Sequence, residues 1–274
     1  MKRINKRLII SDFDGTLSDS QNTVSEKVRN AINEYVSCGG IFAVCTGRML
    51  SSILPRVREL GLKGLVAAYQ GSVIADIESG ELLRKNSLSI DDCIEICTFA
   101  EKHNFKCNTY SDEVLYTGMP LGDKRLTVYE TVTGVKAVNI DGAMSNFVKE
   151  KKLACNKITF LVDPDERERL YKLLQAEFSE RFDVTCSAAV LVEISPKGDD
   201  KGVALKYIAN HFGIDLSLTV AIGDNLNDLS MIKIASVGVA VGNAVDDLKE
   251  EADYVSVSNN EGAVAEIIEK FGFR

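Results

Sequence analysis

The chain has 274 residues, of which 45% are hydrophobic and 26% charged, a composition that excludes disordered, collagen-like and membrane classes and suggests about two domains. Its 32 Lys and Arg stand against 40 Asp and Glu, so the formal net charge of −8 argues against a sequence-independent grip on a nucleic-acid backbone. No apolar run approaches the ~18 residues that span a bilayer; the basic start carries only Leu8-Ile9-Ile10 before Ser11 and Asp12 and reads as neither signal peptide nor membrane helix.

The first third alternates buried-strand and amphipathic-helix patterns. A strand is predicted over 7–13. Thr23 then caps a helix, with Glu26 closing a capping box, and Val24, Val28, Ala31, Ile32, Tyr35 and Val36 share one face until Gly39-Gly40 ends it. A second strand over 41–45 runs into Thr46-Gly47-Arg48, a helix reaches about residue 60, and a third strand covers 65–69. Strands of this kind separated by helices indicate right-handed βαβ units and a parallel sheet covered on both faces.

The middle of the chain, roughly 83–189, has a helix over 90–103 capped by Ser89, strand segments near 114–116 and 158–162, and a helix over 165–178. That mixture predicts an α+β insert with its own small core. The first style then returns, with strands over 190–194, 218–222 and 237–241, a helix after Lys201, a short helix, and a last helix near 262–271. The expected division is therefore a Rossmann-like α/β core over 1–82 and 190–274, interrupted by a cap over 83–189. Two chain crossings of this sort would act as a hinge, with the insert able to cover the sheet edge. The seven cysteines are scattered, with no C-x-x-C pair, and only His103 and His211 could join them, which argues against a zinc site and for reduced thiols in a cytoplasm. Cys93 and Cys97, four apart in an apolar pattern, read as core.

In an open α/β sheet the ligand crevice lies beyond the carboxyl ends of the strands, so polar residues that directly follow apolar runs carry the chemistry. Four such places occur. They are Asp12-Phe13-Asp14-Gly15-Thr16, Thr46-Gly47-Arg48, Lys201-Gly202 at a helix start, and Gly223-Asp224-Asn225-Leu226-Asn227-Asp228. If Asp12, Asp14, Asp224 and Asp228 gather in one crevice, their mutual repulsion calls for a hard cation with oxygen ligands, most simply Mg²⁺. A phosphate monoester brought there would find Lys201, the Thr46 hydroxyl and backbone N–H groups, and a carboxylate could attack phosphorus to give an aspartyl-phosphate. Each element alone has an ordinary reading: Asp14-Gly15 as a turn, Thr46-Gly47 as a strand-to-helix turn, Lys201 as a solvated helix-end charge, and Asn225, Asn227 and Asp228 as caps. It is their occurrence together, in this order, that outweighs those readings.

Asp12-Phe13-Asp14-Gly15-Thr16-Leu17, Thr46-Gly47-Arg48, Pro196-Lys197-Gly198-Asp199-Asp200-Lys201-Gly202 and Gly223 to Asp228 resemble the four motifs of the haloacid dehalogenase superfamily phosphatases. The segment Gly238-Val239-Ala240-Val241-Gly242-Asn243-Ala244 is similar to that of the Cof-type branch, subfamily IIB, which carries a large α/β cap. The resemblance covers the whole chain. It implies Asp12 as nucleophile and Asp14 as general acid and then base. It also implies Mg²⁺ held by the Asp12 carboxylate, the Asp14 carbonyl and Asp224, with Asp228 beside them. Phe13 and Gly47 through their N–H groups, with Thr46, Lys201 and Asn227, would grip the phosphoryl group. Lys201 fits the family lysine better than Lys197, because it immediately precedes the Gly that opens the helix. A carboxylate two residues after the nucleophile marks phosphatases and not dehalogenases. One departure stands out: relatives usually carry Asn-Gly after the third strand, whereas this chain has Gln70-Gly71.

Three functions are compatible with these residues: a Mg²⁺-dependent phosphatase, a phosphomutase on the same scaffold, and a phospho-accepting regulatory module. A receiver-type regulator would carry its phosphorylated Asp after the third strand, where this chain has Tyr69-Gln70-Gly71 and no acid. The phosphatase reading carries the expectation of a small phosphorylated metabolite, such as a sugar phosphate, as substrate, with no nucleic-acid or membrane partner. Arg48 and Arg125 are candidates to contact that substrate, against the ordinary alternative of surface ion pairs.

Overall fold

In the computed structural model, which describes residues 3–188 and 190–273, the apolar run after Arg7 becomes β1 (Leu8–Ser11), buried at every position as a central parallel strand is. It is followed by α1 (Glu26–Ser37), β2 (Ile41–Cys45), α2 (Leu50–Glu59), β3 (Leu65–Ala68), β4 (Val73–Asp76) and β5 (Leu82–Lys85). Next come α3 (Ile90–Lys102), β6 (Asn108–Ser111), β7 (Val114–Thr117), α4 (Lys124–Thr133), β8 (Ala137–Asn139), α5 (Met144–Lys151), β9 (Lys157–Leu161), α6 (Pro164–Phe178), β10 (Phe182–Ala188) and β11 (Leu191–Pro196). The chain ends with α7 (Lys201–His211), β12 (Thr219–Gly223), α8 (Leu229–Ile234), β13 (Val237–Ala240), α9 (Asp246–Glu251), β14 (Tyr254–Val255) and α10 (Ala263–Ile267).

Two units result, one from Met1–Lys85 with Asp200–Arg274 and one from Asn86–Asp199. The first holds an eight-stranded sheet in the order β14-β13-β12-β1-β2-β3-β4-β5. From β14 to β3 every pairing is parallel; β4 and β5 then extend the edge in antiparallel fashion. This is the expected α/β core, with an antiparallel edge that alternation in 73–76 did not announce. Because β12, β1, β2 and β3 lie side by side and point the same way, the segments that follow them, beginning at Asp224, Asp12, Thr46 and Tyr69, emerge along one sheet edge.

The second unit is a six-stranded sheet in the order β10-β11-β9-β6-β7-β8. One of its faces packs an apolar cluster that includes Cys93, Ile96, Cys97, Val148, Ile158, Phe160, Leu170 and Phe178. Cys93 and Cys97 are buried core, as their spacing indicates. A smaller cluster gathers Met119, Leu126, Leu161 and Leu191.

Two expectations need correction. The strand expected over 190–194 in the core sheet is β11, and it pairs antiparallel with β9 and β10 inside the insert. A strand buried on both faces looks the same in either sheet; pairing partners alone decide which one it joins. The crossings therefore fall at 85/86 and 199/200, not at 82/83 and 189/190. At α1 the cap is Ser25, whose Oγ accepts from the Val28 N–H at 3.4 Å. Thr23 is drawn away by Asp19, which accepts from both its N–H and its hydroxyl in a tight turn.

Candidate active site

Each functional side chain is presented by a strand end or a helix start. Asp12 follows β1, and its N–H donates to the Ile222 carbonyl at 2.9 Å, which continues the β1–β12 ladder one residue beyond the strand. Residues 13–17 then form a tight turn in which Gly15 takes φ +75°. A Cβ there would lie 2.7 Å from Asp224 Oδ2, so glycine at this position permits both the left-handed backbone and the close approach of Asp224. Thr16 Oγ1 donates to Asp224 Oδ1 at 3.0 Å and ties that carboxylate to the same turn.

Lys201 opens α7, whose N-cap Asp200 accepts from the Val203 N–H at 2.8 Å. Its ammonium is fully buried, 2.6 Å from Asp12 Oδ1 and 2.5 Å from Asp228 Oδ1. The other oxygen of Asp228 accepts the N–H groups of Asp224 at 2.8 Å and Asn225 at 3.1 Å. Asp228 thus shapes the loop and orients Lys201 with both oxygens engaged. Lys197, the competing lysine, donates instead to the carbonyls of Ser179 and Glu180 inside the insert.

Asp12, Asp224 and Asp228 bring one oxygen each to within 4.8 Å of one another. Three carboxylates against the single Lys201 ammonium leave an excess of two negative charges when all are ionised. Burial pushes the Asp12 carboxyl well above its usual range; Lys201 opposes this, while Asp228 and Asp224 add to it. Asp224 is raised for the same leading reason, burial, and by Asp228. For Lys201 burial alone would lower the pKa, but Asp12 and Asp228 hold it above its ordinary value, so it remains an ammonium. An all-oxygen donor set with two charges in excess fits a hard divalent cation.

Asp14 stands apart from that triad. Arg48 grips it with both prongs of its guanidinium, Nε to Oδ2 at 2.7 Å and Nη2 to Oδ1 at 2.6 Å, and lies 5.5 Å from the centre of the Phe13 ring. The Arg48 side chain is 7% exposed and that of Asp14 44%, so the pair lies half-buried at the edge of the site. Arg125, the other arginine singled out, is held by Asp123 and Asp163 within the insert. Thr46 is buried, and its hydroxyl accepts the Arg48 N–H at 3.2 Å. Asn227 is exposed, and its amide donates to Gln70 Oε1 at 3.2 Å.

Sequence reasoning missed two participants. Asn243 donates to the Gly15 carbonyl at 2.8 Å and accepts from the Asn259 N–H at 2.9 Å, buttressing the turn after Asp12. Gln70 was noted as a departure from the family pattern, without a place in the site. Only the tertiary contact with Asn227, 157 positions away, brings it in.

The sequence profile described as haloacid dehalogenase-like hydrolase matches residues 9–268. Phosphatase YwpJ of Bacillus subtilis is 30% identical over 281 residues, covering 96% of this chain and 98% of that protein. The 5-amino-6-(5-phospho-D-ribitylamino)uracil phosphatase YwtE of the same organism is 28% identical over 287 residues, with 96% and 97% covered. A crystal structure of a haloacid dehalogenase-like hydrolase from Bacteroides thetaiotaomicron superposes with a TM-score of 0.87 at 28% identity, covering 97% of this chain and 99% of that one.

Proposed function

The chain belongs to the haloacid dehalogenase-like hydrolases and is a phosphoric monoester hydrolase; from that premise we propose that it cleaves small phosphorylated metabolites with Mg²⁺, through a phosphoryl group carried on Asp12. The observation that supports this reading most directly is the buried Lys201 ammonium shared by Asp12 and Asp228, with Asp224 at ligand distance. Asp12 and Asp224 would hold the metal, which when bound neutralises charge on the carboxylates and the transferring group.

In the first step an Asp12 carboxylate oxygen bonds to phosphorus as the ester oxygen departs, and Asp14 gives that oxygen a proton. Water then attacks phosphorus, Asp14 takes its proton, and the bond from phosphorus to Asp12 breaks. Lys201, Thr46, Asn227 and the N–H groups of Phe13 and Gly47 bind the charge that builds on the phosphoryl oxygens. Asp14 must leave its ion pair with Arg48 before it can carry a proton, which makes release of that pair part of the cycle. Arg48, once released, would be able to contact the leaving group.

The ribitylamino phosphate named for YwtE supports polyhydroxylated monoesters as the substrate class. The test is Mg²⁺-dependent phosphate release across a panel of sugar, polyol and nucleotide monoesters, run beside Asp12→Asn, with acid-quench mass spectrometry for a phosphorylated Asp12. Steady release of phosphate marks a hydrolase; return of the phosphoryl group to a second hydroxyl of the substrate would mark a mutase. Equal turnover by Asp12→Asn would remove the covalent mechanism.

A further inference from the structure

We propose that Gln70 is a positioning residue for the phosphoryl-binding amide of Asn227, a role that rests on the phosphatase reading above and adds to it a residue outside the four motifs. Three observations place it. Gln70 Oε1 accepts from Asn227 Nδ2 at 3.2 Å. Its own amide nitrogen packs against Gly47, where a Cβ would come within 2.6 Å of it. Its backbone N–H donates to the Thr46 carbonyl at 2.9 Å, and the preceding Tyr69 N–H donates to the Arg48 carbonyl at 2.9 Å.

The turn after β3 is thus pinned to the loop after β2 while its side chain spans to the loop after β12. The next residue extends this clamp: a Cβ on Gly71, at φ +103°, would sit 2.7 Å from the carbonyl of Asp200, the N-cap of the helix that carries Lys201. Tyr69 and Gln70 both hold left-handed backbone, φ 49° and 58°, a conformation that is costly for such side chains and persists only where surrounding contacts enforce it.

Asn227 needs this help. It is exposed, and a terminal amide on the surface rotates freely and presents oxygen as readily as nitrogen. An acceptor fixed at Oε1 of Gln70 takes one N–H of Asn227, sets the amide so that nitrogen lies on that side, and leaves the second N–H for a phosphoryl oxygen. Gln70 itself touches no reacting atom in this scheme.

A double-mutant cycle tests the role. Gln70→Met keeps the packing over Gly47 and removes the acceptor; Gln70→Ala is the second variant should the first fold poorly. Each is made alone and with Asn227→Ala. The readouts are calorimetric binding of inorganic phosphate with Mg²⁺ present, and KM and kcat for p-nitrophenyl phosphate. Loss of one hydrogen bond to a binding group predicts phosphate affinity weaker by about three- to tenfold, with KM rising in step, kcat changed less and the melting temperature unchanged. In the Asn227→Ala background the same change has no further effect. Equal losses in both backgrounds, or no loss in either, would overturn the proposal. Absence of phosphate release from the wild-type enzyme would count against the phosphatase reading alone, because the cycle can still be read from phosphate binding.

Discussion

Two lysines paired with carboxylates, one in each unit, are held by different charge balances. Lys201 faces Asp12 and Asp228 directly, with Asp224 in the same oxygen cluster, so one positive charge meets three negative ones. In the insert, Lys157 reaches Glu193 at 2.7 Å and lies 5.0 Å from the centre of the Tyr110 ring, with one carboxylate in direct contact with the ammonium among the described residues. Burial alone would lower Lys157, and Glu193 and Tyr129 more than offset it. A balanced pair can compensate its desolvation within the fold. Three carboxylates around one ammonium would carry an excess of two negative charges when all are ionised, a balance that could suit a cation. In the same sheet Thr117, Asn108, Thr159 and Glu193 sit opposite one another across four strands, and Asn108 Nδ2 and Thr159 Oγ1 have no hydrogen-bond partner among the described residues.

The comparison can be broken most severely at Asp12. Asp12→Asn should lower turnover by about 10⁴-fold or more. Because it also removes one of the excess charges, its melting temperature in chelator should equal or exceed that of the wild type. A melting temperature several degrees lower would mean that the cluster is balanced after all.

Removing the lysines separates the two sites. Lys201→Met leaves three clustered carboxylates, two of them buried, and should cost about 3–5 kcal/mol in denaturant unfolding with chelator present. Mg²⁺ should restore more stability to this variant than to the wild type. Lys157→Met removes the ion pair with Glu193, at a cost of about 1–3 kcal/mol, and no metal should restore it. If the two variants respond alike to Mg²⁺, the contrast drawn between the sites does not hold.

Gly15→Ala tests the turn that lets Asp224 approach. A Cβ at φ +75° and 2.7 Å from Asp224 Oδ2 predicts a loss of about 1–2 kcal/mol together with a smaller Mg²⁺-induced rise in melting temperature. The smallest effect is expected in the insert. Thr159→Val removes a hydroxyl that has no hydrogen-bond partner among the described residues and should change stability by no more than about 0.5 kcal/mol, in either direction.

Much of the core could be read from the sequence because its signals are local. An apolar run that ends at a carboxylate, a Thr-Gly or a Gly-Asp is visible within ten residues, and parallel strands must place such junctions on one edge. The insert was less legible. The short strands β6 and β8 and the helices α4 and α5 carry mixed patterns, and β11 reads as a core strand because burial on both faces erases the alternation that would mark its sheet.

By itself, then, the sequence determined that Asp12, Thr46, Lys201 and Asp224 sit at strand ends or a helix start and that an α+β insert interrupts a parallel sheet, since hydrophobic periodicity and turn residues act over a few positions. Tertiary structure alone decided that Arg48 closes on Asp14, that β11 pairs within the insert, and that Gln70 reaches Asn227; it also brought Lys201, already favoured over Lys197 by its place before Gly202, into the cluster. Each of those outcomes depends on a partner 27 to 189 residues away, a separation over which no local pattern specifies which side chains meet.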